Sequence, residues 1–222
     1  MAQPRLFVLA TRNAAKIAEY ADIVRAHAPE WRATSPAGEE PVETGTTFAA
    51  NALIKARAAH RHTRLPVLAD DSGLCVDVLG GAPGVFSAYW AGQQRDPAAN
   101  RALLLDQLAD IADPHRGAHF ASALALIEPD GTEHLAEARW PGRLARTARG
   151  DDGFPYDAIF VPDPPRGSAE PAPGAVPRSV AEWEARTRHL ASHRARAFRE
   201  LLPVWARLAG ARAGATPPPP AR

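Results

Sequence analysis

The chain has a single cysteine in 222 residues, Cys75, so it can form no internal disulfide and offers no cysteine cluster to hold zinc. No apolar run reaches the ~18 residues that a membrane-spanning helix needs. The first residues, Met-Ala-Gln-Pro-Arg-Leu-Phe-Val-Leu-Ala, have too short an apolar part for a signal peptide and run into polar residues. The formal net charge is only +1 at pH 7, which gives no electrostatic argument for nucleic acid or an anionic membrane as a partner. These absences leave a soluble, cytoplasmic protein as the expectation. Lysine is scarce as well: of 26 basic residues only Lys16 and Lys55 are lysine. A chain that uses arginine elsewhere keeps lysine where a compact, flexible ammonium matters. Two residues do not exclude chance, but they mark two places to look.

What is present suits a globular enzyme-sized domain. The chain is 45% hydrophobic and 23% charged, and one of this length buries roughly 70% of the surface its unfolded form exposes. One domain, or one domain of two lobes, is the natural count. Arg5 to Ala10 is predicted as a buried strand, followed by a helix from Ala14 to about Ala28 with Ile17, Tyr20, Ile23 and Val24 on one face. A loop rich in proline, glycine and glutamate runs to Gly45. Thr46 or Thr47 then caps a second helix to about His62, with Phe48, Leu53 and Ile54 turned inward. Leu65 to Ala69 is a strand expected to stop at Asp70-Asp71-Ser72-Gly73, with extended chain resuming from Leu74 to Leu79 and a turn at Gly80 to Gly84. Asp96 to Leu108 is a helix; His119 to Ile127 and Glu133 to Trp140 form a hairpin; Asp157 to Val161 is a short strand. Val180 to Arg188 and Ser192 to about Leu208 are helical, with Pro203 breaking the last. Strands alternating with helices, plus one hairpin, give an α/β protein with a mixed sheet.

Two strand-to-loop junctions carry polar chemistry, as ligand sites of α/β sheets do. At Thr11-Arg12-Asn13-Ala14-Ala15-Lys16 a hydroxyl, an amide, free helix N–H groups and a lysine one turn in make an anion cradle. Taken locally, the segment reads first as a helix cap at Asn13 with a solvated Lys16. The adjacent carboxylates of Asp70 and Asp71 suit a hard cation such as magnesium, and one of them can act as a general base toward water. A plain solvent-exposed turn is the competing reading. Glu43 is a further carboxylate. Gly153-Phe154-Pro155-Tyr156-Asp157 offers an aromatic face beside a carboxylate, and Ser192-His193-Arg194 offers two donors at a helix start. A flat heterocycle wants both. His189 and His193 stand four apart, but no third ligand accompanies them, so zinc binding there is rejected.

Together these segments resemble the inosine triphosphate pyrophosphatase family, also called dITP/XTP pyrophosphatases. The matching motifs occur in family order: Thr-x-Asn-x-x-Lys at 11–16, Glu-Thr-Gly-x-Thr-Phe at 43–48, Asn-Ala-x-x-Lys-Ala at 51–56 and Ala-Asp-Asp-Ser-Gly-Leu at 69–74. Gly-Gly-Ala-Pro-Gly-Val-x-Ser-Ala at 80–88, Gly-Phe-x-Tyr-Asp at 153–157 and Ser-His-Arg at 192–194 follow. The resemblance covers about residues 5–205, and both lysines fall inside the motifs. It implies an elongated two-lobed fold around a long twisted mixed sheet, with the active site in the cleft between lobes, and a homodimer. The domain is taken as 1–210, with a proline-rich loop insertion at 162–177 and a disordered tail at 211–222. The resemblance also implies magnesium-dependent hydrolysis of ITP, dITP and XTP to the monophosphate and pyrophosphate. By position, Asp71 is the proton acceptor and, with Glu43, the magnesium site. Thr11, Arg12, Asn13, Ala14, Ala15, Lys16 and Ser72 face the phosphates. Phe154, Pro155, Tyr156, Asp157, Arg188, His193 and Arg194 face the base.

The chain departs from the family pattern at four places. Ala50 stands where the family has Glu, Pro155 where it has Gly, and Arg188 where it has a substrate-contacting Lys. Ser-Ala-Arg-Tyr becomes Ser87-Ala88-Tyr89-Trp90. Two alternatives therefore stay open: a pyrophosphatase for other modified nucleotides, and a nucleotide-binding sensor with weakened catalysis. A nucleic-acid-binding module would need a basic face, and the charge balance argues against one.

Overall fold

The computed structural model describes residues 3–150, 153–164 and 176–211. Among these, β1 (Arg5–Leu9), β2 (Trp31–Thr34), β3 (Val67–Val76), β4 (Gly117–Ile127), β5 (Glu133–Leu144) and β6 (Phe160–Pro162) form one mixed sheet in the order β2-β1-β3-β4-β5-β6. β1 runs parallel to both β2 and β3, and the remaining neighbours are antiparallel. The helices are α1 (Ala14–His27), α2 (Phe48–His60), α3 (Pro97–Gln107), α4 (Ala185–Ala191), α5 (His193–Glu200) and α6 (Leu202–Ala211). The mixed α/β architecture expected from sequence is the one observed. No described helix is long and apolar enough to cross a membrane.

Three apolar clusters hold the sheet. On one face Tyr20 and Ile23 of α1, Phe198 of α5 and Trp205 of α6 cover Leu68, Leu124 and Leu126. Trp205 touches the rings of both Phe7 and Trp31 with centroids 5.0 Å away, and truncating such a buried aromatic costs about 3–5 kcal/mol. On the other face Ala52, Ala56 and Ala59 of α2 lie against Val67, Ala69, Ala123 and Ala125, small residues that bring the helix close to the strands. The third cluster, Leu74, Val76, Leu104, Phe120, Trp140 and Phe160, builds the far half of the molecule. Strand β3 thus feeds one lobe with Val67 to Ala69 and the other with Leu74 and Val76. The polar run Asp70 to Gly73 is the seam between them.

Several sequence expectations change. Trp31–Thr34 is a strand, not loop: Trp31 is buried among aromatics and the segment pairs with β1. Asp70-Asp71-Ser72-Gly73 is not a turn but the middle of β3, paired residue for residue with Leu124 to Ala121 of β4. Four turn-forming residues are held extended because β4 supplies an unbroken ladder and the side chains find partners described below. Extended chain ends at Val76, with a 3-10 turn at Asp77–Leu79 and a two-turn 3-10 helix at Gly84–Tyr89. Asp157 precedes β6 instead of lying in it. Ile17 is exposed, and the buried line of α2 runs through its alanines, with Phe48, Leu53 and Ile54 only half-buried. The last helical region is split three ways. Val180–Glu182 is a 3-10 turn, Ser192 separates α4 from α5, and α6 starts just before Pro203, whose missing N–H is harmless in a first turn. Residues 165–175 of the expected loop insertion and 212–222 of the expected tail lie outside the described residues.

Candidate active site

Because side chains alternate along a strand, Asp70 and Asp71 project from opposite faces of β3. Asp70 is fully enclosed. Its Oδ2 meets Lys16 Nζ at 2.6 Å and accepts from Arg194 Nε at 3.1 Å, while its Oδ1 accepts from Ser122 Oγ at 2.7 Å. Its own burial opposes ionisation, but Lys16 and Arg194 overcome it and hold the carboxyl well below the usual range. Arg194 continues to Glu19 Oε2 at 2.9 Å and Ser72 Oγ at 2.7 Å, and lies over the Phe154 ring with 4.4 Å to its centroid. Burial lowers the Lys16 ammonium against the pull of Asp70. Asp70 is therefore a buried anchor, and the two adjacent carboxylates do not chelate one cation together.

On the other face Asp71 Oδ1 accepts from Lys55 Nζ at 2.9 Å and Oδ2 from Asn51 Nδ2 at 3.2 Å. The same ammonium reaches Glu43 Oε1 at 3.1 Å. Asn51 also accepts the Gly45 N–H at 2.8 Å through Oδ1, which ties the Glu43 loop to α2. Burial raises the Asp71 carboxyl above its ordinary value despite Lys55. Two residues along the same face, Gly73 leaves room that a Cβ would fill: it would collide with Ser87 Oγ and the Gly84 carbonyl. That approach lets Ser87 Oγ accept from Leu74 N at 3.0 Å and pins the 84–89 segment beside Asp71.

These groups open onto a cleft of about 450 Å³ at the seam of the lobes. Its polar end follows from α1: Asn13 caps the helix by accepting from Lys16 N at 3.1 Å, and Thr11 Oγ1 accepts from Asn13 N at 3.2 Å. Lys16 is not solvated; it turns inward to Asp70. Arg12 donates to the Gly38 carbonyl. At the other end Phe154, Tyr156 and Asp157 gather with His193. The Phe154 N–H donates to Asp157 Oδ2 at 2.8 Å, and Gly153, at φ +105°, permits the turn because a Cβ there would strike that same oxygen. Burial pushes the Asp157 carboxyl up to about 7, against the Phe154 N–H and Arg188. His193 stacks on Phe120 at 5.0 Å, and burial holds its imidazole well below the usual range, hence neutral.

Of the residues singled out from sequence, Thr11, Arg12, Asn13, Lys16, Glu43, Asp71, Ser72, Phe154, Pro155, Tyr156, Asp157, His193 and Arg194 line this cleft. Ala14 and Ala15 do not; they supply only the first turn of α1. Arg188 stands buried behind Asp157, with Nε 3.8 Å from Oδ2. His189 belongs to α4 and pairs with Asp22 at 2.7 Å, so it does not share a helix with His193. Sequence reasoning passed over Glu19 and gave Asn51 and Lys55 no role, although the 51–56 motif holds both and lysine scarcity had marked the second.

A model of the Ham1 family matches residues 7–204. A protein of Leifsonia xyli named dITP/XTP pyrophosphatase is 49% identical over 197 residues, covering 89% of this chain and 94% of that protein. One of the same name from Streptomyces avermitilis is 49% identical over 207 residues, covering 91% and 98%. Among solved structures, the nucleoside-triphosphatase / dITP/XTP pyrophosphatase of Mycobacterium abscessus is 45% identical with a TM-score of 0.66, covering 90% of this chain and 98% of that one. A HAM1 protein from Coxiella burnetii is 35% identical with a TM-score of 0.75, covering 91% and 99%.

Proposed function

The chain belongs to the Ham1 family, and on that premise we propose that it hydrolyses the non-standard purine nucleoside triphosphates ITP, dITP and XTP to the monophosphate and pyrophosphate. The consequence is removal of these nucleotides from the pool before they enter DNA or RNA. The names of its relatives support the substrate class. The observation that carries the reading is a single cleft in which Asp71 lies between a cationic helix terminus and an aromatic pocket closed by a carboxyl group.

The chemistry follows from those positions. Water attacks the α-phosphorus in line; its proton passes to the Asp71 carboxylate; the bond to the bridging oxygen breaks and its electron pair leaves with pyrophosphate. Lys55 and Asn51 hold one Asp71 oxygen each, which fixes the carboxylate while leaving lone pairs to accept that proton. The N-terminal turn of α1, with Thr11, Asn13, Lys16 and Ser72, receives phosphate oxygens.

Magnesium fits the donor set, because Glu43 and Asp71 each direct an oxygen at one shared ammonium and so retain surplus negative charge from all-oxygen groups. Held there, the ion supplies charge neutralisation on the triphosphate. Phe154 provides a stacking face and His193 and Arg194 provide donors for a 6-oxo acceptor. Adenine presents an amino donor instead, a mismatch that can cost roughly 10⁴-fold. Homodimerisation and a cytoplasmic site of action are part of the same proposal, supported by the family resemblance.

The test is product analysis with magnesium and dITP, XTP, dGTP or dATP. Fast pyrophosphate release from the first two and little from the others supports the proposal. Orthophosphate as the product, or no turnover of dITP and XTP, overturns it.

A further inference from the structure

Five cationic side chains line the cleft: Arg12, Lys16, Lys55, Arg95 and Arg194. Three are already neutralised by carboxylates, Lys16 by Asp70, Lys55 by Glu43 and Asp71, and Arg194 by Glu19 and Asp70. Arg12 is engaged with the Gly38 carbonyl. Arg95 has neither: its guanidinium lies over the Tyr89 ring, 5.7 Å from the centroid, and makes no hydrogen bond or ion pair with the described residues. Stacking uses the flat face of a guanidinium and leaves its edge donors available.

The backbone at this residue is unusual as well. Arg95 has φ +54° and is the sole non-glycine with positive φ among the described residues. It is held there between a turn closed by its own N–H on the Gly92 carbonyl at 3.2 Å and the cap of α3, where Asp96 accepts from Ala98 N at 2.8 Å. A left-handed arginine is disfavoured locally, and such conformations persist where the surroundings over-determine them, often at ligand sites. Tyr89 ends the 84–89 segment, which Ser87 pins beside Gly73 on the Asp71 face of β3. The family resemblance expects an arginine at position 89 itself.

Resting on the function proposed above, we infer that Arg95 is a substrate-binding residue that pairs with the pyrophosphate oxygens of the nucleotide from the 84–89 side of the cleft. A triphosphate brings several negative charges into a cleft whose inner cations are mostly spent on carboxylates, and Arg95 supplies an uncommitted, bidentate donor at its rim.

The experiment compares wild type, Arg95→Gly and Arg95→Lys by calorimetric binding of inorganic pyrophosphate and of dIMP, with steady-state dITP kinetics and melting temperatures alongside. Arg95→Gly should weaken pyrophosphate about tenfold and raise KM for dITP with little change in kcat. Its dIMP affinity should hold, and its melting temperature should not fall because glycine relieves the positive φ. Arg95→Lys should lie between. Unchanged pyrophosphate affinity in Arg95→Gly, or an equal loss for dIMP, overturns the assignment. If wild type turns over dITP, such a result removes Arg95 alone; if wild type does not, the function itself falls and this inference with it.

Discussion

Asp70 and Asp71 are neighbours in the chain yet serve opposite faces of β3, Asp70 meeting Lys16 at 2.6 Å and Asp71 meeting Lys55 at 2.9 Å. The scarce lysines are divided one to each carboxylate. Their removal should therefore separate stability from chemistry. Asp70→Asn leaves Lys16 buried without a counter-charge and Arg194 with Glu19 alone, and should cost about 3 kcal/mol of stability, the range for breaking a buried pair. Asp71→Asn should cost less stability but slow turnover by about a thousandfold, as loss of a general base does. Urea denaturation and initial rates on both variants check this; equal stability losses would contradict it.

Lys55 spaces two carboxylates that would otherwise repel. In Lys55→Met they should destabilise the protein in chelator and respond more strongly to a divalent cation. Melting temperatures with and without magnesium should show a larger upward shift in Lys55→Met than in wild type. Equal shifts would mean that Glu43 and Asp71 do not face a common cation.

Asp157 gives a pH signature. Its carboxyl is raised in the fold to about 7 from an ordinary value of 3.8, chiefly by burial. Between those two values the unfolded chain has released the proton and the folded chain keeps it. Stability from this group is thus complete below the lower value and is lost as pH rises toward the upper one. Asp157→Asn should lose that slope. Denaturation midpoints from about pH 5 to about pH 8, as differences between variant and wild type, should converge in favour of the variant as pH rises. A flat difference would place Asp157 elsewhere.

Gly153 holds the turn that faces Asp157. Alanine there must adopt φ +105° and collide with the Asp157 carboxylate. Gly153→Ala should cost roughly 1–2 kcal/mol from backbone strain alone and weaken dIMP binding. Retained dIMP affinity would show that the 153–157 turn is not the base pocket.

The sequence carried the elements whose signals are local: the Asn13 and Thr47 caps, the amphipathic α1, the β4–β5 hairpin, and the break before Pro203. It failed where tertiary contacts decide. Trp31–Thr34 contains one buried residue in four, so it reads as loop, and only pairing with β1 makes it a strand. Asp70 to Gly73 are turn formers individually, and their extended state depends on β4 and on charges from α1, α2 and α5, far away in sequence. The same separation hid the division of labour between Asp70 and Asp71. It also hid Glu19, whose partner Arg194 is 175 residues distant. Arg95 gave no local signal because its interest lies in a backbone angle and in the partners it lacks.

In the proposed reaction water attacks the α-phosphorus and Asp71 accepts its proton. Hydrolysis of dITP in water enriched in oxygen-18, followed by mass analysis of both products, tests it directly. The label should appear in the nucleoside monophosphate, pyrophosphate should stay unlabelled, and Asp71→Asn should suppress the labelled product. Label in the pyrophosphate, or in orthophosphate, would move the attack to another phosphorus and overturn the assignment of Asp71.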